Sequence, residues 1–584
     1  MKTSRVLLAL LVVVVIAVAC VPAPSPVPPT AAPKPTDAPK PTAIPPTAVP
    51  AAPTAPAATK PPATTAPTAA PPTVVNVFPN AQLTINFLAT SAQTGNTEAV
   101  FNALHCNLLN LDDKFKFQPE LAEKHELSPD GKTYTFTLRK NAKWHDGQPV
   151  TAEDVEFSWM VYATSGISLD SRIREPVITS VLGGAATRES AKKSKGYGDT
   201  LKYEGIQIAD PYTIKFTLAA QDPLWLTLIT QYPNGWLLPK HILKDVPWAD
   251  WAKHPMALTN PVGCGPYKFS RRVDGQFDEF VAFADYFGGR PKIDRIVFRS
   301  WLVTNVATAQ IESGELDVML GVPQADAERL EKNPRVKLLT APAAAAYQLS
   351  INTFRVTDKR VRQAMAYALN RKVILQSVFK GQGELKECCL LNDWVIPPDQ
   401  KFREYDPAKA KQLIAEAKWD SNRELTILFP SGYRQTDVLL PIVQQQLAEV
   451  GIKTKQDPQD PATYQKKLLT DKDWDIFFTQ GANMLPDPGS FTAWECRAGQ
   501  SPASGWFYFD DKWADLWKAG RTTTNLAERT KIYMEIQRIF HEEQPTVNIV
   551  VPAIIFALNS RLEGFTPTSN PPSSFWNVHT WSLK

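Results

Sequence analysis

A proline-rich segment near the start of the chain limits which part of the sequence can fold. Of the 51 prolines among the 584 residues, 19 lie between residues 21 and 72, where no aromatic residue occurs. Such a segment buries too little apolar surface to offset the conformational entropy lost on folding, and its prolines favour an extended polyproline II chain. The sequence therefore predicts a semi-rigid tether over residues 21–75 and a folded region from residue 76 onward.

Residues 1–20 have the pattern of a secretory leader. Lys2 and Arg5 supply a positive start, an apolar run covers residues 6–19, and the run ends in small residues that a signal peptidase requires. The run is shorter than the roughly 20 residues that cross a bilayer. The next residue is Cys20, and Ala-Val-Ala-Cys resembles the bacterial lipobox, which predicts a signal peptide over 1–19 and a lipidated Cys20. The alternative is plain secretion by cleavage after Ala19, which leaves Cys20 as an incidental thiol.

The charge of the folded region argues against one large class of partner. The whole chain has 63 basic and 59 acidic residues and a net charge of +4. Residues 1–75 account for the whole excess, so that residues 76–584 hold 58 residues of each sign. Recognition of nucleic acid depends on clustered Lys and Arg. The neutral folded region therefore predicts no nucleic-acid partner.

The cysteines and histidines form no recognisable catalytic or metal-binding motif. The seven histidines are scattered, and we find no phosphate loop, dinucleotide fingerprint or nucleophile elbow. This pattern favours a protein that is not an enzyme, with no catalytic residue, cofactor or metal. An odd number of cysteines in an oxidising compartment predicts one or two disulfides and at least one free thiol, with the pairing left open. These cysteines, apart from Cys20, are Cys106, Cys264, Cys388, Cys389 and Cys496.

The folded region alternates between strand and helix patterns. Tyr134–Leu138 and Thr213–Leu218 alternate apolar and polar residues, which predicts two strands. Thr151 begins a helix with a capping pattern. Val361, Met365, Leu369 and Val373 recur every four residues, which predicts one amphipathic helix. Because helices and strands alternate along the chain, the sequence predicts an α/β architecture in more than one lobe.

Several motifs in a fixed order resemble one family. The chain is similar to the extracellular solute-binding proteins of family 5, the peptide, nickel and oligosaccharide receptors of ABC importers. The resemblance covers residues 100–584. Its motifs are Leu121–Lys140, Trp144–Gly147, Thr151–Trp159, Pro261–Tyr267 with Cys264 where Thr is usual, Asp285–Pro291, Ser313–Asp317, Arg360–Asn370 and Asp487-Pro488.

Three of these motifs also have a purely structural interpretation, which we prefer. Trp144–Gly147 contains a neighbouring His and Asp, but Asp-Gly favours a turn, so we predict a structural turn instead of a catalytic dyad. The glycines of Pro261–Tyr267 are predicted to shape a backbone corner. Arg360 and Arg362, near a helix start, are predicted to form structural ion pairs.

The resemblance implies a bilobed fold of the periplasmic-binding-protein type, with two chain crossings as a hinge and an inserted third subdomain. Mapping the motifs predicts lobe I over 76–112, 205–300 and 548–584, the inserted subdomain over 113–204, and lobe II over 301–547. Solute would lie between the lobes and be enclosed when the hinge closes.

The resemblance also implies a function and partners. We expect a monomeric lipoprotein that captures a small solute and delivers it to an ABC permease and ATPase complex. Its expected location is the outer face of the cytoplasmic membrane, where the lipid on Cys20 anchors it. Two alternatives remain: a solute sensor, which would use the same cleft, and a secreted hydrolase, which the absence of catalytic motifs disfavours.

The residue that binds a peptide's amino group in this family is replaced here. In peptide-binding members, an Asp three residues before Asp-Pro or Glu-Pro pairs with the α-amino group. Counting back from Asp487 places Met484 at that position, and a thioether cannot pair with an ammonium group as a carboxylate does. Either Asp487 binds the amino group of a peptide in a shifted loop, or the solute is uncharged or weakly charged, such as an oligosaccharide.

Aromatic side chains are the other candidates for contact with the solute. The chain has 16 Trp and 15 Tyr, and aromatic faces hold sugar rings and quaternary ammonium groups. Most of these aromatics are expected in cores. We predict that Trp301, Tyr347 and Trp494 line the cleft, and that Asn483 supplies directional hydrogen bonds.

Overall fold

The computed structural model describes the folded region in segments. They are residues 71–79, 88, 98–164, 177–200, 202–230, 235–300, 302–343, 345–387, 390–431, 436–482, 487–490, 510–569 and 571–584. The predicted signal peptide, Cys20 and the tether up to residue 70 lie outside the described residues.

Strands and α-helices alternate along these segments. The strands are β1 (Val74–Phe78), β2 (Leu109–Leu111), β3 (Phe117–Pro119), β4 (Ala122–Leu127), β5 (Thr133–Leu138), β6 (Ile206–Asp210), β7 (Thr213–Thr217), β8 (Tyr267–Val273), β9 (Phe277–Ala282), β10 (Arg295–Phe298), β11 (Val318–Leu320), β12 (Val336–Pro342), β13 (Ala345–Ile351), β14 (Gly383–Glu384), β15 (Glu424–Pro430), β16 (Lys453–Gln459), β17 (Ile476–Ala482), β18 (Thr546–Asn559), β19 (Leu562–Glu563) and β20 (Ser582–Leu583). The α-helices are α1 (Glu98–Leu104), α2 (Ala152–Ala163), α3 (Gly184–Ala191), α4 (Trp225–Ile229), α5 (Lys240–Leu243), α6 (Pro255–Leu258), α7 (Thr304–Ser313), α8 (Gln324–Glu331), α9 (Lys359–Ala368), α10 (Arg371–Phe379), α11 (Pro407–Glu416), α12 (Thr436–Glu449), α13 (Pro461–Gln465), α14 (Asp511–Thr522) and α15 (Leu526–Glu543).

The largest sheet consists of two halves that one long strand joins. The first residues of β18, Thr546–Val550, pair with β13, and its last residues, Ala553–Asn559, pair with β12. Beyond β13 the sheet continues through β17, β15 and β16, and on the other side it continues from β11 through β1, β10, β9 and β8. We call the half that contains β1 the first lobe and the half that contains β13 the second lobe. This mixed α/β, two-lobed architecture confirms the predicted fold class.

The chain passes between the two lobes at two neighbouring places. β12 ends at Pro342 and β13 begins at Ala345, and both strands pair antiparallel with β18. The short strand β14 pairs with Val551 and Pro552 of β18, between the two paired regions. Two adjacent crossings of this kind can bend together, which is the geometry of a hinge.

A separate sheet of four strands lies only partly within the segment predicted as the inserted subdomain. β4 and β5 fall within 113–204, whereas β6 and β7 fall within 205–300, which the motif mapping assigns to lobe I. The strand order of this sheet is β4, β5, β7, β6, with all neighbours antiparallel. The two strands predicted around residues 134–138 and 213–218 are its central pair, with Thr137 opposite Thr213. Phe136, Phe216 and Trp225 pack together as fully buried rings in the core of this sheet.

A predicted single helix is two helices in the structure. The four-residue periodicity from Val361 to Val373 predicts one continuous helix, but α9 ends at Ala368 and α10 begins at Arg371. The Asn370 side chain accepts a hydrogen bond from the Val373 N–H at 3.1 Å and so begins the second helix. Val373 is 51% exposed and takes no part in the predicted apolar stripe. A local capping bond therefore outweighs the periodicity here.

One disulfide joins two distant parts of the chain. Cys106, just after α1, is bonded to Cys264, which lies between α6 and β8, 158 residues away. Cys388, Cys389 and Cys496 lie outside the described residues. Within those described segments, no helix is long and apolar enough to cross a membrane.

Candidate functional site

The sequence predicts six residues in contact with a solute. Of the six predicted residues, the structure describes two, Tyr347 and Asp487. The other four, Trp301, Asn483, Met484 and Trp494, lie outside the described residues.

Tyr347 lies beside the first crossing, with its ring in the core of the second lobe. On β13 it is opposite Val550 of β18 and Gln480 of β17. Its ring stacks on Phe478, with centroids 6.0 Å apart, and packs against Phe379 at 5.6 Å. The residue is 5% exposed, so the ring has little free surface for a solute. A role of Tyr347 in binding stays a prediction.

The Asp487 carboxylate is held by an arginine that the sequence analysis did not single out. Arg529 on α15 donates from Nη1 to Oδ2 at 2.8 Å and from Nη2 to Oδ1 at 2.7 Å. Oδ1 also accepts a hydrogen bond from the Gly489 N–H at 2.9 Å. A carboxylate with a bidentate arginine partner is already neutralised. This geometry favours a structural role for Asp487 over a role as the ligand of an ammonium group.

Arg529 is itself fixed by its surroundings. Its Nε donates to the Gly520 carbonyl at 2.8 Å, and its guanidinium lies 5.6 Å from the centre of the Tyr533 ring. Burial lowers the pKa of the Arg529 guanidinium, but the bonds to Asp487 outweigh burial and raise the pKa above its ordinary value. The ion pair between Asp487 and Arg529 therefore attaches the loop that contains Asp487 and Pro488, the Asp-Pro loop, to the hairpin that α14 and α15 form. Nothing in the sequence connects these two residues, because 42 positions separate them.

A buried cluster of charged side chains, Arg371, Glu387 and Arg403, connects residues 386–403 to the segment just before β18. Glu387 accepts a hydrogen bond from Arg403 Nη1 at 2.8 Å and lies 3.5 Å from Arg371 Nη2. Arg403 also donates to Gln544 Oε1 at 2.8 Å, just before β18 begins. Burial lowers the pKa of Arg371, and Glu387 opposes that shift. The group fixes the chain around residues 386–403 to the start of β18. The sequence analysis missed it.

The neighbouring histidine and aspartate of the Trp144–Gly147 motif have structural roles. The Gly263 N–H donates to His145 Nδ1 at 3.1 Å, so Nε2 carries the proton and donates to the Gly265 carbonyl at 3.0 Å. Burial lowers the pKa of His145 to about 3, so the ring is neutral at physiological pH. Asp146 instead contacts His241 Nε2 at 2.7 Å. The prediction of a structural turn is confirmed.

The glycine corner and the two arginines also match their structural interpretation. A Cβ atom on Gly263 would overlap the carbonyl oxygen of Leu104, so this corner needs glycine for space. Arg360 pairs with Asp358 at 2.6 Å, and Arg362 pairs with Glu543 at 3.1 Å. Among the described residues, no group of three or more His, Cys, Asp or Glu side chains could hold a metal ion.

Comparison with protein families gives one match over most of the described region. The model of the bacterial extracellular solute-binding proteins, family 5 Middle, matches residues 116–501.

Two curated relatives have most of their length in common with this chain. The oligopeptide-binding protein AppA of Bacillus subtilis is 27% identical over 505 residues, which cover 83% of this chain and 87% of AppA. The glutathione-binding protein GsiB of Escherichia coli is 26% identical over 497 residues, which cover 80% of this chain and 87% of GsiB.

Solved structures have the same fold. The structure of AppA from Bacillus subtilis in complex with a nonapeptide has a TM-score of 0.68 and 25% identity, and the match covers 88% of this chain and 100% of that one. CtaP from Listeria monocytogenes has a TM-score of 0.72 at 24% identity, with 87% and 99% of the two chains covered. NikZ from Campylobacter jejuni, in complex with Ni(L-His), has a TM-score of 0.70 at 23% identity, with 88% and 100% covered.

Proposed function

Because the chain belongs to the bacterial extracellular solute-binding proteins of family 5, we propose that it is the substrate-binding component of an ABC importer. In this role it captures a peptide or another small solute between its two lobes and delivers it to a membrane permease. The chain is a binding protein and not an enzyme, because the proteins of this family are binding receptors.

The main observation in support of this proposal is that the chain crosses between the two lobes at two adjacent places. Pro342 to Ala345 and Val550 to Ala553 are the two places where the chain leaves one lobe and enters the other; the first connects β12 to β13, and the second lies within β18, with which both of those strands pair. A bend at these places opens or closes the space between the lobes without breaking either sheet. We place the first crossing near residue 343 in this proposal, instead of the boundary at residue 301 that the motif mapping predicts, since β11 and β12 pair with β18 in the first lobe.

The proposed solute contacts are those predicted from the sequence, with Asp487 reassigned. Trp301, Asn483, Met484 and Trp494 are proposed to face the solute, and Tyr347 is proposed to reach it only with the small exposed part of its side chain. Asp487 supports the loop through Arg529, because both of its oxygens already accept hydrogen bonds from that guanidinium.

Two solute classes follow from this assignment. A peptide agrees with the relatives, since AppA is described as an oligopeptide-binding protein and has been solved with a nonapeptide. An oligosaccharide agrees with Met484 at the position of the amine-binding Asp, because the loop then offers no carboxylate for a free amino group.

The proposed location is extracytoplasmic. The leader, Cys20 and the tether together support a protein held at the outer face of the cytoplasmic membrane by a lipid. The proposed partners are an ABC permease and its ATPase, and the proposed state is a monomer.

Identification of the bound solute tests the proposal most directly. The full chain is purified from its own cells, and the solute released on denaturation is identified by mass spectrometry. Calorimetry then compares di- to pentapeptides with oligosaccharides. The peptide class predicts tight binding of at least one peptide and the oligosaccharide class predicts binding of a neutral sugar. Binding of neither class, with no copurified solute, would contradict the proposed function.

The variant Met484→Asp distinguishes the two solute classes. It restores a carboxylate at the amine-binding position, so it should improve peptide affinity and leave the affinity for a neutral sugar unchanged. Loss of peptide binding in Asp487→Asn with an intact fold would show that Asp487 contacts the amino group after all.

A further inference from the structure

One face of the sheet in the second lobe carries buried polar side chains. Side chains alternate between the two faces of a strand, so Gln348 and Ser350 on β13 lie on the same face. Thr546 of β18 is opposite Ser350, and Asn548 is opposite Gln348. The four residues are between 1% and 4% exposed. We call Gln348, Ser350, Thr546 and Asn548 the polar layer, because interior positions of this kind are usually apolar.

The opposite face of the same two strands has the usual apolar composition. Tyr347, Leu349 and Ile351 of β13 pack in one core with Val547 and Ile549 of β18. The contrast between the two faces shows that the polar residues are confined to one side of the sheet.

The segment after β14 packs over the face that carries the polar layer. Ala346 lies on the same face as Gln348, two positions nearer the crossing, and it packs in one buried cluster with Leu391 and Val551. The Leu390 N–H and carbonyl in turn bond to the side chain of Gln537 on α15. The polar layer therefore lies in the interior of the second lobe and not on its surface.

Three polar groups of this layer have no hydrogen-bond partner among the described residues. They are Nε2 of Gln348, Oγ of Ser350 and Oγ1 of Thr546. Residues directly opposite each other in a sheet are about 5 Å apart, and residues two positions apart on one strand are about 7 Å apart. The three groups are therefore close enough for small molecules of water to connect them. Buried polar groups in native proteins are almost always hydrogen-bonded, because an unpaired one loses its bonds to water without a replacement.

The polar side chains closest to this layer are bonded to other groups. Gln544 donates from Nε2 to the Thr546 carbonyl at 2.7 Å, and its Oε1 accepts from Arg403 Nη1 at 2.8 Å. Asn548 donates from Nδ2 to the Lys386 carbonyl at 3.2 Å. These side chains are therefore held by contacts outside the three unpaired groups.

We propose that the polar layer is a binding site for ordered water, in which at least one water molecule bridges Gln348, Ser350 and Thr546. The chemistry of the three groups fits water: the Gln348 amide donates to the water oxygen, and each hydroxyl can either donate to that oxygen or accept one of the water protons. A buried water molecule typically makes about three hydrogen bonds to polar groups that would otherwise be unpaired. The proposal concerns the interior of the second lobe and does not depend on which solute the chain binds.

The sign of a stability change tests the proposal. In the full chain, Thr546→Val removes the hydroxyl and keeps the shape of the side chain. A hydroxyl bonded to water loses those bonds, so the midpoint of urea denaturation should fall, whereas removal of a truly unpaired hydroxyl should raise the midpoint. Thr217→Val is the matched control on another strand, because its hydroxyl contacts that of Thr133 directly at 3.2 Å. The combination of Thr546→Val with Ser350→Ala should lower the midpoint by less than the sum of the two single changes, since both hydroxyls contact the same water. An unchanged or raised midpoint in Thr546→Val, or strict additivity, would overturn the proposal.

A crystal structure of the wild-type full chain tests the same site without any variant. At a resolution that shows ordered water, a water molecule should lie within about 3.2 Å of at least two of the three unpaired groups. The proposal is wrong if no water lies there, or if the three groups bond directly to other parts of the protein.

Discussion

At the scale of single residues, the buried carboxyl group of Glu120 makes the fold sensitive to pH. Glu120 is 9% exposed, and its Oε2 has no hydrogen-bond partner among the described residues. Burial raises the pKa of this carboxyl from 4.5 to about 8, although the Asn107 N–H and the charge of Arg139 oppose the shift. The folded protein therefore keeps a proton at neutral pH that the unfolded chain releases.

The substitution Glu120→Gln tests this pKa. Because the folded pKa is raised, the free energy of unfolding should fall as the pH rises from about 4.5 to about 8, by up to about 1.4 kcal/mol per pH unit. Glu120→Gln should remove this fall and stabilise the protein at pH 8. Urea denaturation at several pH values measures both effects. The neighbouring exposed Glu123→Gln is the control, and an identical pH slope in Glu120→Gln and the wild type would contradict the prediction.

The Asp487–Arg529 pair supplies a second prediction at this scale. Arg529→Met leaves the partly buried Asp487 carboxylate without its partner, so it should lower the free energy of unfolding by roughly 3 kcal/mol. Arg538→Met on the same helix breaks an exposed pair with Asp399 and should cost less than about 1 kcal/mol. Chemical denaturation compares the two variants. A loss in Arg529→Met no larger than that in Arg538→Met would mean that the pair does not secure the loop.

At the scale of elements, the disulfide fixes the end of α1 to the glycine corner before β8. The corner is also held by His145, which bonds both Gly263 and Gly265, so Cys264 sits between two hydrogen-bonded positions. The covalent bond thus reinforces a corner that hydrogen bonds already hold.

Removal of the disulfide should destabilise the fold. In the chain-entropy model, a closed loop of this length contributes roughly 5 kcal/mol. Cys106→Ala with Cys264→Thr should therefore lower the free energy of unfolding by several kcal/mol, with unchanged circular dichroism below the transition. The reduced wild-type chain should lose a similar amount. Equal stability of the oxidised and reduced chains would show that the bond contributes little.

At the scale of the whole molecule, we propose that attachment and solute binding belong to different parts of the chain. The sequence predicts an anchor and a tether in residues 1–75, and the proposed solute-binding cleft lies in the two-lobed remainder. The chain crosses between the two lobes once between β12 and β13 and once within β18, and we propose that these two crossings form one hinge.

The anchor is tested by Cys20→Ser. If the lipid on Cys20 is the attachment to the membrane, this variant should move from the membrane fraction to the soluble fraction, because the apolar run before it is too short to span a bilayer. Cys496→Ser is a control that keeps the leader intact. Immunoblots of the two fractions measure the distribution, and a Cys20→Ser chain that stays with the membrane would contradict lipid anchoring.

Features that depend on residues close together in the chain could be predicted from the sequence. The capping pattern at Thr151, the turn at Trp144–Gly147 and the central strands of the four-stranded sheet follow from residues a few positions apart, so local chemistry is sufficient to predict them. Motif order likewise indicated the two-lobed α/β fold. Where two local signals competed, as at Asn370, periodicity alone gave the wrong boundary.

Only the tertiary structure decided which distant residues meet. Arg529 reaches Asp487 across 42 positions, and Cys106 reaches Cys264 across 158. Which distant residues meet depends on the path of the chain through the whole fold. No short stretch of sequence determines that path. The sequence therefore identified the Asp-Pro loop as important, while the structure showed that its aspartate is paired with Arg529.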